Sequence, residues 1–196
     1  MRTISRRCTF GAAVALAFAL TAVAQESSAP PSRTNAPDGG SLTSDQTFLK
    51  KAAEGGLAEV ELGQLAVEKS SNEDVKMFAQ RIVDDHGKAN EDLKQLAGQK
   101  GVSLPSEPSA KQKANKERLS KLSGDEFDKA YMSDMLKDHR IDVAAFEQES
   151  DSGTDSDIKK FASQALPTLR EHLKQAESVT GKIEQASNTP EGPTQQ

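Results

Sequence analysis

Residues 75–96 read VKMFAQRIVDDHGKANEDLKQL. Stepping about 100° per residue places Val75, Ala79, Ile82, Val83, His86, Ala89, Leu93 and Leu96 on one face, with most of the charged residues opposite. The stretch predicts an amphipathic helix over about residues 72–100, stopped by Gly101. A titratable side chain, His86, sits in the middle of the apolar stripe. A buried imidazole must find a partner among other side chains, the backbone, water or a metal ion.

The flanking sequence repeats this pattern three times. A helix over about residues 45–70, capped by Ser44 or Asp45, gathers Phe48, Leu49, Ala52, Ala53, Gly56, Val60, Gly63, Ala66 and Val67 on one face, and Glu59 falls among them. A third over about residues 125–150 carries Phe127, Tyr131, Met132, Met135, Leu136, His139, Val143 and Phe146. A fourth over about residues 155–182 carries Ile158, Phe161, Ala165, Leu169, His172, Ala176 and Val179. Pro167 lies inside this fourth helix and is expected to interrupt or kink it, since it removes one backbone donor. The connection over residues 101–124 starts extended at Leu104-Pro105 and Glu107-Pro108, then reads as a short charged helix from about 110 to 122. No segment alternates as a strand would. The expectation is all-α: a four-helix bundle of two hairpins joined by a long crossover that carries a short extra helix.

At about 1.5 Å of rise per residue, Glu59, His86, His139 and His172 come within a turn or two of one level, one from each helix. Three imidazoles and a carboxylate suit one transition-metal ion, Zn, Fe, Mn or Cu, and Asp142, one turn after His139, offers a further ligand. Asp85, Asp138 and Glu171 each precede a histidine and so point about 100° away, as orienting partners or into solvent. The plainer alternative is a structural network of neutral, hydrogen-bonded histidines. Burial would depress their pKa values, so stability is expected to fall as pH drops below about 6.5.

Composition narrows the functional classes. Arg2, Arg6 and Arg7 precede an apolar run over residues 10–23 that ends in Ala22-Val23-Ala24, an export signal cleaved before Gln25. Ser5-Arg6-Arg7-Cys8-Thr9-Phe10 is similar to a twin-arginine signal, although Thr9 stands where a hydrophobe is usual. The domain reading is therefore signal 1–24, linker 25–43, bundle 44–183 and tail 184–196, with a periplasmic or secreted destination. Cys8 is the one cysteine, so the exported chain has neither disulfide nor thiolate ligand. Losing three arginines and no acid takes the formal charge from −5 to −8, which argues against nucleic acid as a partner. No membrane span is expected, and a protein partner or homo-oligomer is left open. Trp is absent and Tyr131 is the one tyrosine, so there are no aromatic platforms for sugars or single strands. Phosphate loops, nucleophile elbows and His-Glu-x-x-His are absent as well. The acidic pairs Asp84-Asp85 and Asp155/Asp157 lack calcium-loop spacing. The stretch from Lys111 to Lys121 is either a solvated face or a partner surface.

Several segments together resemble the family called domain of unknown function 4142: FLKKAAEGGLAEVELG at 48–63, the run 77–96 with Asp85-His86, Phe127-Asp128 with Tyr131, then His139, and Leu166-Pro167 through His172-Leu173. The resemblance spans about residues 44–180. It implies a ferritin-like bundle in an exported bacterial protein, and it implies no activity. True ferritins place a carboxylate three residues before each histidine ligand. Here those positions hold Val83, Leu136 and Leu169, so the resemblance does not extend to a di-iron centre. The sequence thus gives first a non-catalytic binding or stress-related module with a polar His/Glu core, and as the alternative a periplasmic metal-binding protein with scavenging or weak redox activity.

Overall fold

The computed structural model describes residues 43–188. The signal, the linker up to residue 42 and the last residues of the tail lie outside them. Five helices follow in order: α1 Ser44–Lys69, α2 Glu73–Gln99, α3 Ala110–Ser120, α4 Gly124–Ser152 and α5 Ser156–Asn188. There is no strand among the described residues. α1 pairs with α2 and α4 with α5, while α1–α4 and α2–α5 contacts close the ring of four. This is the all-α bundle of two hairpins expected from the periodicity.

The ends of the helices are set by local hydrogen bonds. Thr43 and Gln46 form a capping box at α1, so the cap is Thr43 rather than Ser44 or Asp45. Asp45 instead reaches the start of α5, where its carboxylate accepts from the Thr154 and Asp155 backbone N–H groups and from the Thr154 hydroxyl. Asn72 caps α2, and Gly101, at φ 66°, takes the left-handed conformation that ends it. Gly124, at φ 54°, makes the corresponding sharp entry into α4, where Ser123 at the cap position makes no side-chain cap bond. α5 continues through Pro167 without ending and runs on to Asn188, past the residue at which the bundle was expected to stop.

α3 lies against α1 and α4. Leu119 is fully buried, Lys116 pairs with Glu61 at 3.0 Å, and Arg118 pairs with Asp134 at 2.5 Å. Part of the charged stretch is therefore anchored to the bundle instead of lying free. The acidic pairs are also satisfied locally: Asp84 accepts from Gln80, and Asp155 and Asp157 pair with Lys100.

The inward faces are rotated slightly from the ideal stripes. On α1, Ala58 and Leu62 are buried while Val60 and Val67 are half-buried, because a helix in a square bundle packs against two neighbours and buries a wider arc. On α5, Ala162 and Leu166 are buried while Phe161 and Ala165 remain half-buried at the rim of a cleft. The core falls into two apolar clusters. One contains Leu62, Phe78, Ile82, Tyr131, Met135 and Ala176; the other contains Leu49, Ala53, Leu93, Ile158 and Ala162. On every helix of the ring, the predicted polar residue lies in sequence between the parts belonging to the two clusters. The polar layer thus sits across mid-bundle.

Candidate metal centre

His86, His139, His172 and Glu59 are 8%, 0%, 1% and 3% exposed, so their polar atoms must be satisfied inside the protein. The three imidazoles meet: each offers one ring nitrogen, and these nitrogens all lie within 4.8 Å of one another. The ring centroids stand 5.3 to 5.6 Å apart. Phe78 packs edge-on to His139 at 6.3 Å from the apolar side.

Partners assign the tautomers. His139 Nδ1 lies 2.9 Å from the Met135 carbonyl oxygen, which only accepts, so Nδ1 carries the proton. His172 Nε2 lies 2.8 Å from Asp85 Oδ2. Partial burial works against ionising Asp85, but His172 and Arg81 outweigh it and hold its pKa below the ordinary range. Asp85 is thus an acceptor, and His172 donates from Nε2. The remaining nitrogens, His139 Nε2 and His172 Nδ1, face each other at 3.3 Å. In neutral rings both are lone pairs, and two lone pairs at that distance repel unless a cation lies between them. Two nitrogens on a tetrahedral ion with bonds of about 2.0–2.1 Å stand about 3.3–3.4 Å apart.

His86 completes the trio. Its Nδ1 lies 3.0 Å from Glu59 Oε2, and its buried Nε2 has no hydrogen-bond partner among the described residues. Glu59 Oε1 is also 3.5 Å from His139 Nδ1. Glu59 therefore lies on the Nδ1 side of the rings, outside the converging nitrogens, against two of the rings. Asp142 does not join the trio either. Burial first, then the Glu59 charge, push its pKa well above the ordinary range. Burial pushes Glu59 up to about 7, with His139 opposing.

All three histidines have lowered pKa values, with burial the leading cause. Taken alone, these shifts mean that stability falls as pH drops through about 6.5, because the unfolded rings take up protons that the folded rings refuse. The raised carboxyls act in the opposite sense. The folded Glu59–Asp142 pair keeps protons that the unfolded chain releases above about 4.5, so its contribution improves stability as pH falls from 7. The simple acid sensitivity expected from the sequence is thus offset by the same pair that was read as ligands. The Met135 carbonyl meets His139 from one turn earlier on the same helix, whereas Asp85 reaches His172 only through the packing of α2 on α5. Of the three acids preceding histidines, Asp85 orients a ring on another helix, whereas Glu171 accepts from Gln175.

A family described as a domain of unknown function (DUF4142) matches residues 29–179. The chain belongs to this family. No curated protein matches it in sequence. Among solved structures, a DUF305 fragment from Deinococcus radiodurans is 18% identical with a TM-score of 0.63, covering 73% of this chain and 99% of its own. A DUF305 protein from Streptomyces coelicolor, provisionally named as secreted, is 15% identical with a TM-score of 0.62, covering 71% and 92%. At these identities the likeness is one of fold. No described helix of this DUF4142 chain is long and apolar enough to cross a membrane.

Proposed function

We propose that this is an exported metal-binding protein that holds one transition-metal ion, Zn or Cu foremost, through His86, His139 and His172. The observation that carries the reading is the 3.3 Å approach of two imidazole nitrogens whose partners leave both without a proton. Three neutral imidazoles, two hydrogen-bonded on their far sides and the third backed by the Glu59 carboxylate, suit a mononuclear nitrogen site. With Asp85, Glu59 and the Met135 carbonyl supplying the outer contacts, the chain's own contribution is to fix ring tautomers and orientation before the ion arrives. Scavenging or holding an ion outside the cytoplasm fits a buried site of this kind. Export is supported by the basic and apolar N-terminal segment and by the name of the Streptomyces neighbour.

The competing reading, a structural network, places a shared proton where the ion would be. Metal content decides between them. The full chain, expressed with its own N-terminal segment and purified without chelator or tag, should carry about one equivalent of Zn or Cu, lost in His139→Ala. Added ion at about a hundred times its Kd should stabilise the apo-protein by about 2.7 kcal/mol, roughly 5–10 °C in a domain of this size. Absence of both metal and thermal shift would leave the histidines as core architecture.

A further inference from the structure

A cleft of about 470 Å³ between α2 and α5 descends to His86 and His172, with Asp85, Ala89, Ala165 and Thr168 in its walls. Against His86 it adjoins a pouch of about 40 Å³, walled chiefly by Ala52, Leu93, Phe146 and Leu169. Asn90 brings the one carboxamide to that pouch. A Cβ on Gly56 would collide with the Asn90 side-chain oxygen, so the glycine is what lets the carboxamide lie there. A space of about 10–15 Å³ by this measure holds a water, so the pouch takes two or three atoms and no more.

Resting on the metal reading, we infer that the site is built to take an exogenous ligand: a small, elongated, weakly hydrated anion. It would meet the ion at the cleft floor between His86 and His172 and lodge its far end in the pouch beside Asn90. Three protein donors leave a tetrahedral ion one open position. Three neutral rings cancel none of a divalent ion's charge; of the carboxylates against them, Glu59 stands on their Nδ1 side, and Asp85, beside His172, is met by Arg81 at 3.0 Å. An anion entering from the cleft therefore finds uncompensated positive charge. The pouch walls are mostly apolar and return no hydrogen bonds for lost water, so a strongly hydrated anion is penalised and a weakly hydrated one is not. The cleft's own charges, Lys88 against Asp85 and Asp92, do not by themselves select an anion; the ion does.

The test uses Co(II), whose visible spectrum reports its ligands. Cobalt stoichiometry of the full chain is measured first by equilibrium dialysis. The loaded protein is then titrated with azide, thiocyanate and fluoride. The proposal expects saturable spectral changes with azide and thiocyanate and none with fluoride. Ala165→Leu, which fills the cleft wall and the pouch at a residue that is not one of the three histidines, should keep its cobalt and lose roughly tenfold or more in azide affinity. A cobalt-loaded protein indifferent to azide, or one preferring fluoride, overturns the exogenous-ligand proposal and leaves the metal reading standing. Azide binding unchanged in Ala165→Leu overturns the route. Failure to bind cobalt, together with the absence of Zn and Cu, overturns both. Should the variant not hold cobalt, the anion series on the unaltered protein decides.

Discussion

Asp85→Ala removes a carboxylate that touches no metal ligand position and acts through one ring. Its Oδ2 accepts from His172 Nε2 at 2.8 Å, and Arg81 Nε holds the same oxygen at 3.0 Å. Without it, His172 is free to place its proton on Nδ1, the nitrogen that faces His139, and each molecule that does so has lost a ligand. Outer-sphere partners of this kind are worth 10- to 100-fold in metal affinity, about 1.4–2.7 kcal/mol. Asp85 is 33% exposed, so water partly replaces it as an acceptor in the variant, and the lower end, about tenfold, is expected. Arg81 then stands near the ring without its counter-charge, which adds to the loss. Competition with a chromophoric chelator would measure Kd for Zn in both proteins. Asp84→Ala is the control: it is the adjacent acid, exposed, bonded to Gln80, and should change nothing measurable. Equal affinity in Asp85→Ala and the unaltered protein would refute the assignment of tautomers on which the metal reading stands.

Two glycines one turn-set apart in role should respond oppositely to alanine. At Gly63 a Cβ would meet Val83 Cγ2 at 2.8 Å and the Ala79 carbonyl oxygen at 3.0 Å, and backbone cannot step aside. Overpacking there should outweigh the helix-propensity gain and destabilise by about 1–2 kcal/mol. Gly87 has nothing within 4 Å, so Gly87→Ala should stabilise by about 0.5–1 kcal/mol; denaturant titration of the pair checks both signs. Asp45→Ala should cost about 1–2 kcal/mol at neutral pH by leaving the Thr154 and Asp155 N–H groups just ahead of α5 without their acceptor. The Thr154 hydroxyl bond leads in lowering the Asp45 pKa, so the folded state favours the carboxylate. That stabilisation is present above the unfolded value of about 3.9 and is lost as pH falls through the folded one. The gap between the two proteins should therefore narrow below about pH 4, and a gap constant with pH would show that the Asp45 charge is not what holds this turn.

Periodicity alone determined the four long helices and, to within a small rotation, the face each turns inward. The reason is local: hydrophobic spacing of 3.6 residues, with breaks at Gly101 and Gly124, leaves little choice of element. It also aligned His86, His139, His172 and Glu59, because rise per residue turns hairpin counting into height. Height does not give azimuth. Whether Glu59 meets the ring nitrogens from the ligand side or from behind depends on how α1 is rotated against α2 and α4, and packing of Ala58 and Leu62 fixes that rotation. The same holds for Asp142, whose charge couples to Glu59, and for Asp85, which crosses to a ring on α5 from a position that its own helix left open between orienting a partner and facing solvent. The sequence therefore placed the structural network first. Only the tertiary structure brought two proton-less nitrogens to 3.3 Å and opened a cleft beside them, because both result from contacts between residues 33 or more positions apart, such as His139 with His172 and Asp85 with His172.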